Sequence, residues 1–151
     1  MHKLILIFTF VSLSCVAFTN TGYSAVPRGS ANERATVAAV AQNYMDAYYS
    51  ADVNRMEQAI HPDFHKRTLQ LKDGHIELVQ DTGLSLLEGV RGGTGRDIPV
   101  KDRVQRIEVL DIYNDAASVK VVTRRWVDYM LLSKLDGKWR VLDVVLQYTR
   151  K

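Results

Sequence analysis

The chain has 151 residues, 46% of them hydrophobic and 25% charged, with a formal net charge of +3. That length fits one domain with a real core, and the composition is that of an ordinary globular protein. The excess positive charge is too small and too scattered to point to nucleic acid as a partner.

The N-terminus reads as an export signal. Met1-His2-Lys3 is a short basic start, and Leu4 to Phe18 is an apolar run, short for a membrane span of roughly 20 residues. Small residues follow. Gly22 and Ser24 occupy the −3 and −1 positions of a cut after Ser24; cuts after Ala25 or Ala17 are the alternatives. Residues 1–25 are therefore expected to be a secretory signal. The protein is then periplasmic or secreted, with no membrane attachment after cleavage. Cys15 is the only cysteine and lies inside the signal, so the mature chain has no disulfide and no catalytic thiol. Ser12 stands where a lipoprotein signal wants Leu, which argues against lipid anchoring at Cys15.

Residues 26–32 are a short linker, and a single domain is expected over 33–148. Ser30-Ala-Asn-Glu33 spells a capping box. Val37, Ala41, Tyr44 and Tyr48 then recur at steps of four and three, a helical stripe over about residues 32–50. Asp52 caps a second, short helix carrying Val53, Met56 and Ile60. In "AIHPDFHKR", His61 and His65 sit four apart, the spacing of a helical metal pair. Pro62 breaks that pattern, because proline cannot occupy a helix interior and biases His61 toward extended backbone. The stretch is a helix-to-strand junction, and no metal is expected.

"DFHKRTLQL" is extended. Asp73-Gly74 turns it into "IELV", a hairpin. Asp81 or Thr82 caps a short helix with Leu84, Leu86, Leu87 and Val90. "RGGTGRDIP" is a loop without the Gly-Lys-Ser/Thr ending of a phosphate cradle. Three long strands follow, divided by turns at Asn114-Asp115 and Asp136-Gly137. Helices first, then a curled antiparallel sheet, give an α+β domain.

The phrases "VAAVAQNYMDAYYSADVNRMEQAIHPDF" and "VDYMLLSKLDGKWRVLDVVLQY" resemble the nuclear transport factor 2-like superfamily, the cone-shaped fold of ketosteroid isomerase, scytalone dehydratase and SnoaL-like cyclases. They are most similar to its lumazine-binding branch. The likeness covers roughly residues 33–148 and implies N-terminal helices packed on a curved sheet, His61 satisfying a backbone group at the corner and Phe64 in the core. It says less about activity, since the fold hosts many functions. Tyr44 takes the place of the isomerase tyrosine that donates a hydrogen bond to the oxyanion. Thr68 falls where that enzyme has its aspartate base, and a threonine cannot take a proton from carbon. Asp128 lies on the strand of the second acid, displaced by two or three residues.

The expected pocket residues are Tyr44, Tyr48, Trp126, Asp128 and Tyr129. Asp128 and Tyr129 are neighbours on a strand, so only one of them enters the cone. Each of these side chains also has a plain reading in packing or in pairing with Arg124 or Arg125. Three functions fit: binding of a small hydrophobic or planar ligand, without a cofactor; a lyase or isomerase using Asp128 or His65 as acid–base group and Tyr44 as donor; or a ligand-free module that forms a homodimer through the sheet.

Overall fold

The computed structural model describes residues 29–149. The expected export signal, Cys15 and residues 26–28 of the linker lie outside them. Helix α1 spans Ala31–Ser50 and α2 spans Val53–Ala59; strands β1 and β2 run Ile60–Lys72 and His75–Thr82. Helix α3 is Gly83–Arg91, followed by a 3-10 turn at Val100–Asp102. The remaining strands are β3 (Val104–Tyr113), β4 (Ala116–Thr123), β5 (Trp126–Leu135) and β6 (Lys138–Tyr148). They form one six-stranded sheet in the order β2-β1-β6-β5-β4-β3.

Local signals set most of these boundaries. The Ser30 side chain accepts from the Glu33 N–H at 3.2 Å. The reciprocal half of the expected capping box does not form, because the Glu33 carboxylate reaches Lys134 Nζ at 3.2 Å. Asp52 caps α2 through the Arg55 N–H. Thr82, rather than Asp81, caps α3 in a full capping box with Ser85. At the corner, His61 Nδ1 accepts from the Asp63 N–H at 3.1 Å, and the chain leaves α2 already extended, as Pro62 demands. The tight turn at Asp136-Gly137 has positive φ at both residues, 50° and 74°, the geometry that suits the twist of flanking strands.

The sheet differs from expectation in one respect. β1 pairs parallel with β6, with Lys66 opposite Val144 and Thr68 opposite Leu146. The other four pairings are antiparallel. A parallel neighbour needs a long crossover, and the helix α3 and strands β2 to β5 supply it. The inner face then carries Phe64, Val119, Val121, Met130, Val144 and Leu146, all buried. Helix α1 lays Val37, Ala41, Tyr44 and Met45 against it.

The loop after α3 is pressed onto α1. Gly95 sits so close to Tyr48 that a Cβ there would run into the Tyr48 carbonyl oxygen and ring. Gly95→Ala is therefore expected to cost about 1–3 kcal/mol, the range for forcing atoms into a packed contact, read as a lower urea midpoint at unchanged m-value.

Candidate functional site

The inner face of β5 carries Trp126, Asp128 and Met130, all buried. Asp128 pairs across the sheet with Val121 on β4 and Leu146 on β6, so apolar strands flank it on both sides. The Trp126 indole N–H donates to Asp128 Oδ2 at 2.8 Å. Asp128 Oδ1 has no hydrogen-bond partner, and neither do the buried hydroxyls of Tyr44 and Tyr49 on α1. An unmatched buried polar group costs about 1–3 kcal/mol. Lys66 reaches the same region from β1, on the face that also carries Phe64 and Thr68. Its Nζ lies 5.9 Å from the centre of the Tyr48 ring.

Above these groups the cone opens. A cavity of about 310 Å³ is bounded by Tyr48, Lys66, Thr68, Leu86, Leu146 and Tyr148 among others. A second, of about 200 Å³, shares Tyr48, Lys66, Thr94, Leu146 and Tyr148 with it and adds Ile98, Arg125 and Trp126. Tyr48 and Trp126 meet edge to face with centroids 6.4 Å apart, forming an aromatic corner between cavity and floor. A larger groove of about 640 Å³ runs outside the cone, between α2, α3 and the His61-Pro62 corner, and holds none of the buried hydroxyls.

Burial dominates the electrostatics. It pushes the Asp128 carboxyl above its ordinary value of 3.8; the Lys66 ammonium and the Trp126 N–H pull the other way without cancelling it. Burial lifts Tyr44 to about 12, against a counter-pull from Lys66. Tyr49 and Tyr48 are raised by burial as well. For Lys66, burial works to lower the value, but the acidic neighbours Tyr44, Asp128 and Tyr48 outweigh it and the ammonium is held. At neutral pH Lys66, which borders both cavities, is thus a cation, and the buried phenols of Tyr44 and Tyr49 are neutral. Such a cation matches a ligand rich in acceptors.

The family model described as "Putative lumazine-binding" matches residues 32–146. The chain belongs to that family. Solved structures similar to this lumazine-binding-family protein share its fold. An NTF-2 like protein of unknown function from Silicibacter pomeroyi is 14% identical, covers 78% of this chain and 97% of its own, and has a TM-score of 0.59. One from Shewanella baltica is 17% identical, with coverage of 82% and 98% and a TM-score of 0.58. A Streptomyces avermitilis protein described as a "putative dehydratase from the NTF2-like family" is 8% identical, with coverage of 80% and 98% and a TM-score of 0.58. No curated protein matches the chain.

Within this family fold, the expected pocket residues separate into three groups. Tyr48 and Trp126 line the cavity. Tyr44 and Asp128 line neither cavity; both are buried, and the nearby Asp128 carboxyl adds to the rise of Tyr44. Tyr129 is a correction: it is 47% exposed on the outer face, with Lys120 Nζ 5.6 Å from its ring centre, because the pleat that turns Asp128 inward turns its neighbour out. His65 is a second correction. It alternates with Lys66 and so points to the outer face, where Arg67 meets Asp143; it cannot act across the cone with Asp128. Asp128 also pairs with neither arginine: Arg124 turns to Asp102 at 3.8 Å. Among the described residues no three His, Cys, Asp or Glu side chains gather as metal ligands.

Lys66 was the residue that sequence reading overlooked, although a signal existed. With Phe64 in the core, period-two alternation puts Lys66 and Thr68 on the same inner face. Tyr49 follows similarly at steps of four from Ala41 and Met45.

The raised Asp128 value has a sign that can be tested. Between pH 3.8 and its higher folded value, the folded chain holds a proton that the unfolded chain releases, so stability falls as pH rises through that window. Asp128→Asn keeps an oxygen for the Trp126 N–H and abolishes the titration. Its urea midpoint relative to wild type is expected to climb as pH goes from about 4 to 7.

Proposed function

We propose that this protein is exported and binds a small planar or hydrophobic ligand in the mouth of its cone. The observation that carries this reading is the pair of adjoining cavities, walled by Tyr48, Trp126, Leu146 and Tyr148 and both bordered by the Lys66 side chain. Aromatic walls with a few convergent polar groups are the usual make-up of a small-molecule site, and the family's description points to ligand binding. Export is supported by the sequence of residues 1–25. Native mass spectrometry on the protein from the exported fraction of its host tests both: a chain starting near residue 26 and carrying a reproducible extra mass is expected. Tyr48→Ala is expected to lose most of that mass, since stacking on an aromatic ring contributes about 0.5–1.5 kcal/mol beyond the area buried. A full-length chain, or a mature chain with no added mass in repeated preparations, overturns the respective half.

A catalytic reading is favoured by one feature, the coupling of Tyr44 to a carboxyl whose proton is held by burial. A neutral phenol next to a carboxyl whose protonated form is favoured by burial is the kind of pair that could stabilise a developing oxyanion, as a lyase or isomerase on a small carbonyl compound requires. Thr68 in the place of a base counts against proton abstraction. If turnover of such a compound is found, Asp128→Asn is expected to reduce kcat by about a hundredfold or more; unchanged kcat removes Asp128 from the mechanism.

The outer sheet face supports a homodimer. Tyr129, Leu131 and Val145 are neighbouring and exposed there, an apolar patch of the kind that marks interfaces. Leu131→Arg is expected to convert a dimer to monomer by light scattering after gel filtration, with ligand retention unaffected.

A further inference from the structure

We infer that the ligand of the cone is an anion, a planar aromatic carboxylate or a ring acid of like shape, held between Lys66 and Arg125. This rests on the reading that the cone binds a ligand, and it adds the ligand's charge and orientation. Lys66 is the one charged side chain that borders both cavities, and in the smaller cavity Lys66 and Arg125 are the only charged residues of the wall. Neither forms an ion pair among the described residues.

The Lys66 ammonium faces the Tyr48 ring rather than a carboxylate. Asp128 does not serve it as a bonded counterion: Oδ2 is engaged by Trp126, and Oδ1 is bonded to nothing. A cation partly withdrawn from water and bonded to no carboxylate is stabilised by an incoming anion through charge-assisted hydrogen bonds. Arg125 supplies a second, planar set of donors across the mouth.

The walls set the direction. Asp81 borders the larger cavity, on the side of Val79 and away from the Arg125 end. An anion is therefore drawn toward the Trp126 end, and its apolar body extends past Tyr48 and Tyr148 toward Leu86 and Val90. A ring system with the acid group at one edge satisfies both ends; a neutral or cationic ligand leaves the Lys66–Arg125 end unmatched.

The test is calorimetric titration of the purified protein with two isosteric probes, 2-naphthoate and its neutral amide. Wild type is expected to bind the acid about ten- to a hundredfold more tightly, the size of one charged hydrogen bond. Lys66→Met should erase that preference while leaving amide binding within a few-fold, and Lys66→Arg should keep most of it. Arg125→Gln, at the exposed rim, should reduce it partially and covers the case of a misfolded Lys66→Met. Equal affinity for acid and amide in wild type, or a preference that survives in a folded Lys66→Met, overturns the anion while leaving the cone as a binding site. If neither probe binds, the binding reading falls, and this inference with it.

Discussion

The site depends on the pleat of β1. Phe64 is anchored in the core, its ring 6.1 Å from that of Tyr44, and from that anchor each second residue must face inward. Lys66 and Thr68 enter the cone; His65 and Arg67 face out, where Arg67 bonds Asp143 on the adjoining strand. The inside anchor and the outside ion pair fix one register. A slip by one residue would place an imidazole and a guanidinium where the lysine and threonine now stand, and the cation would move from the place beside Tyr48 to that of Thr68.

Around that cation the protein tolerates an unfavourable arrangement. A fully buried carboxyl with one unpaired oxygen and two buried phenols sit in a core that is mostly apolar. Folding alone would favour hydrophobic side chains of similar volume there. Such groups persist at functional sites because their chemistry is set by the environment that penalises them. The single firm bond in the cluster, from Trp126 to Asp128, ties the ring that walls the cavity to the acid beneath it. A shift in either is felt by the other.

The sequence was most legible where structure is local. Pro62 ended the helix, the Asp-Gly pairs made the turns of β1–β2 and β5–β6, and the stripe from Val37 to Tyr48 marked the buried side of α1. Fold class followed from element order and from phrases shared with the family. Two things were hidden. The parallel contact of β1 with β6 joins segments some 80 residues apart, and no local signal reports such a partner. Lys66 was hidden by its own chemistry: a lysine in a strand reads as solvent-facing, and only the position of Phe64 two residues earlier overrides that. The choice between Asp128 and Tyr129 was open in sequence for a related reason. Alternation gives the period of a strand, while its phase comes from what the strand packs against.

The same β1–β6 contact bears on how the chain folds. The hairpins β1–β2, β3–β4, β4–β5 and β5–β6 can each zip from a short turn, but β1 acquires its second neighbour only when β6, at the far end of the domain, is in place. Closing a loop of that length before any contact rewards it is slow. The wall that carries Lys66 is therefore completed late, and during synthesis the cone stays open along this seam until its last strand arrives.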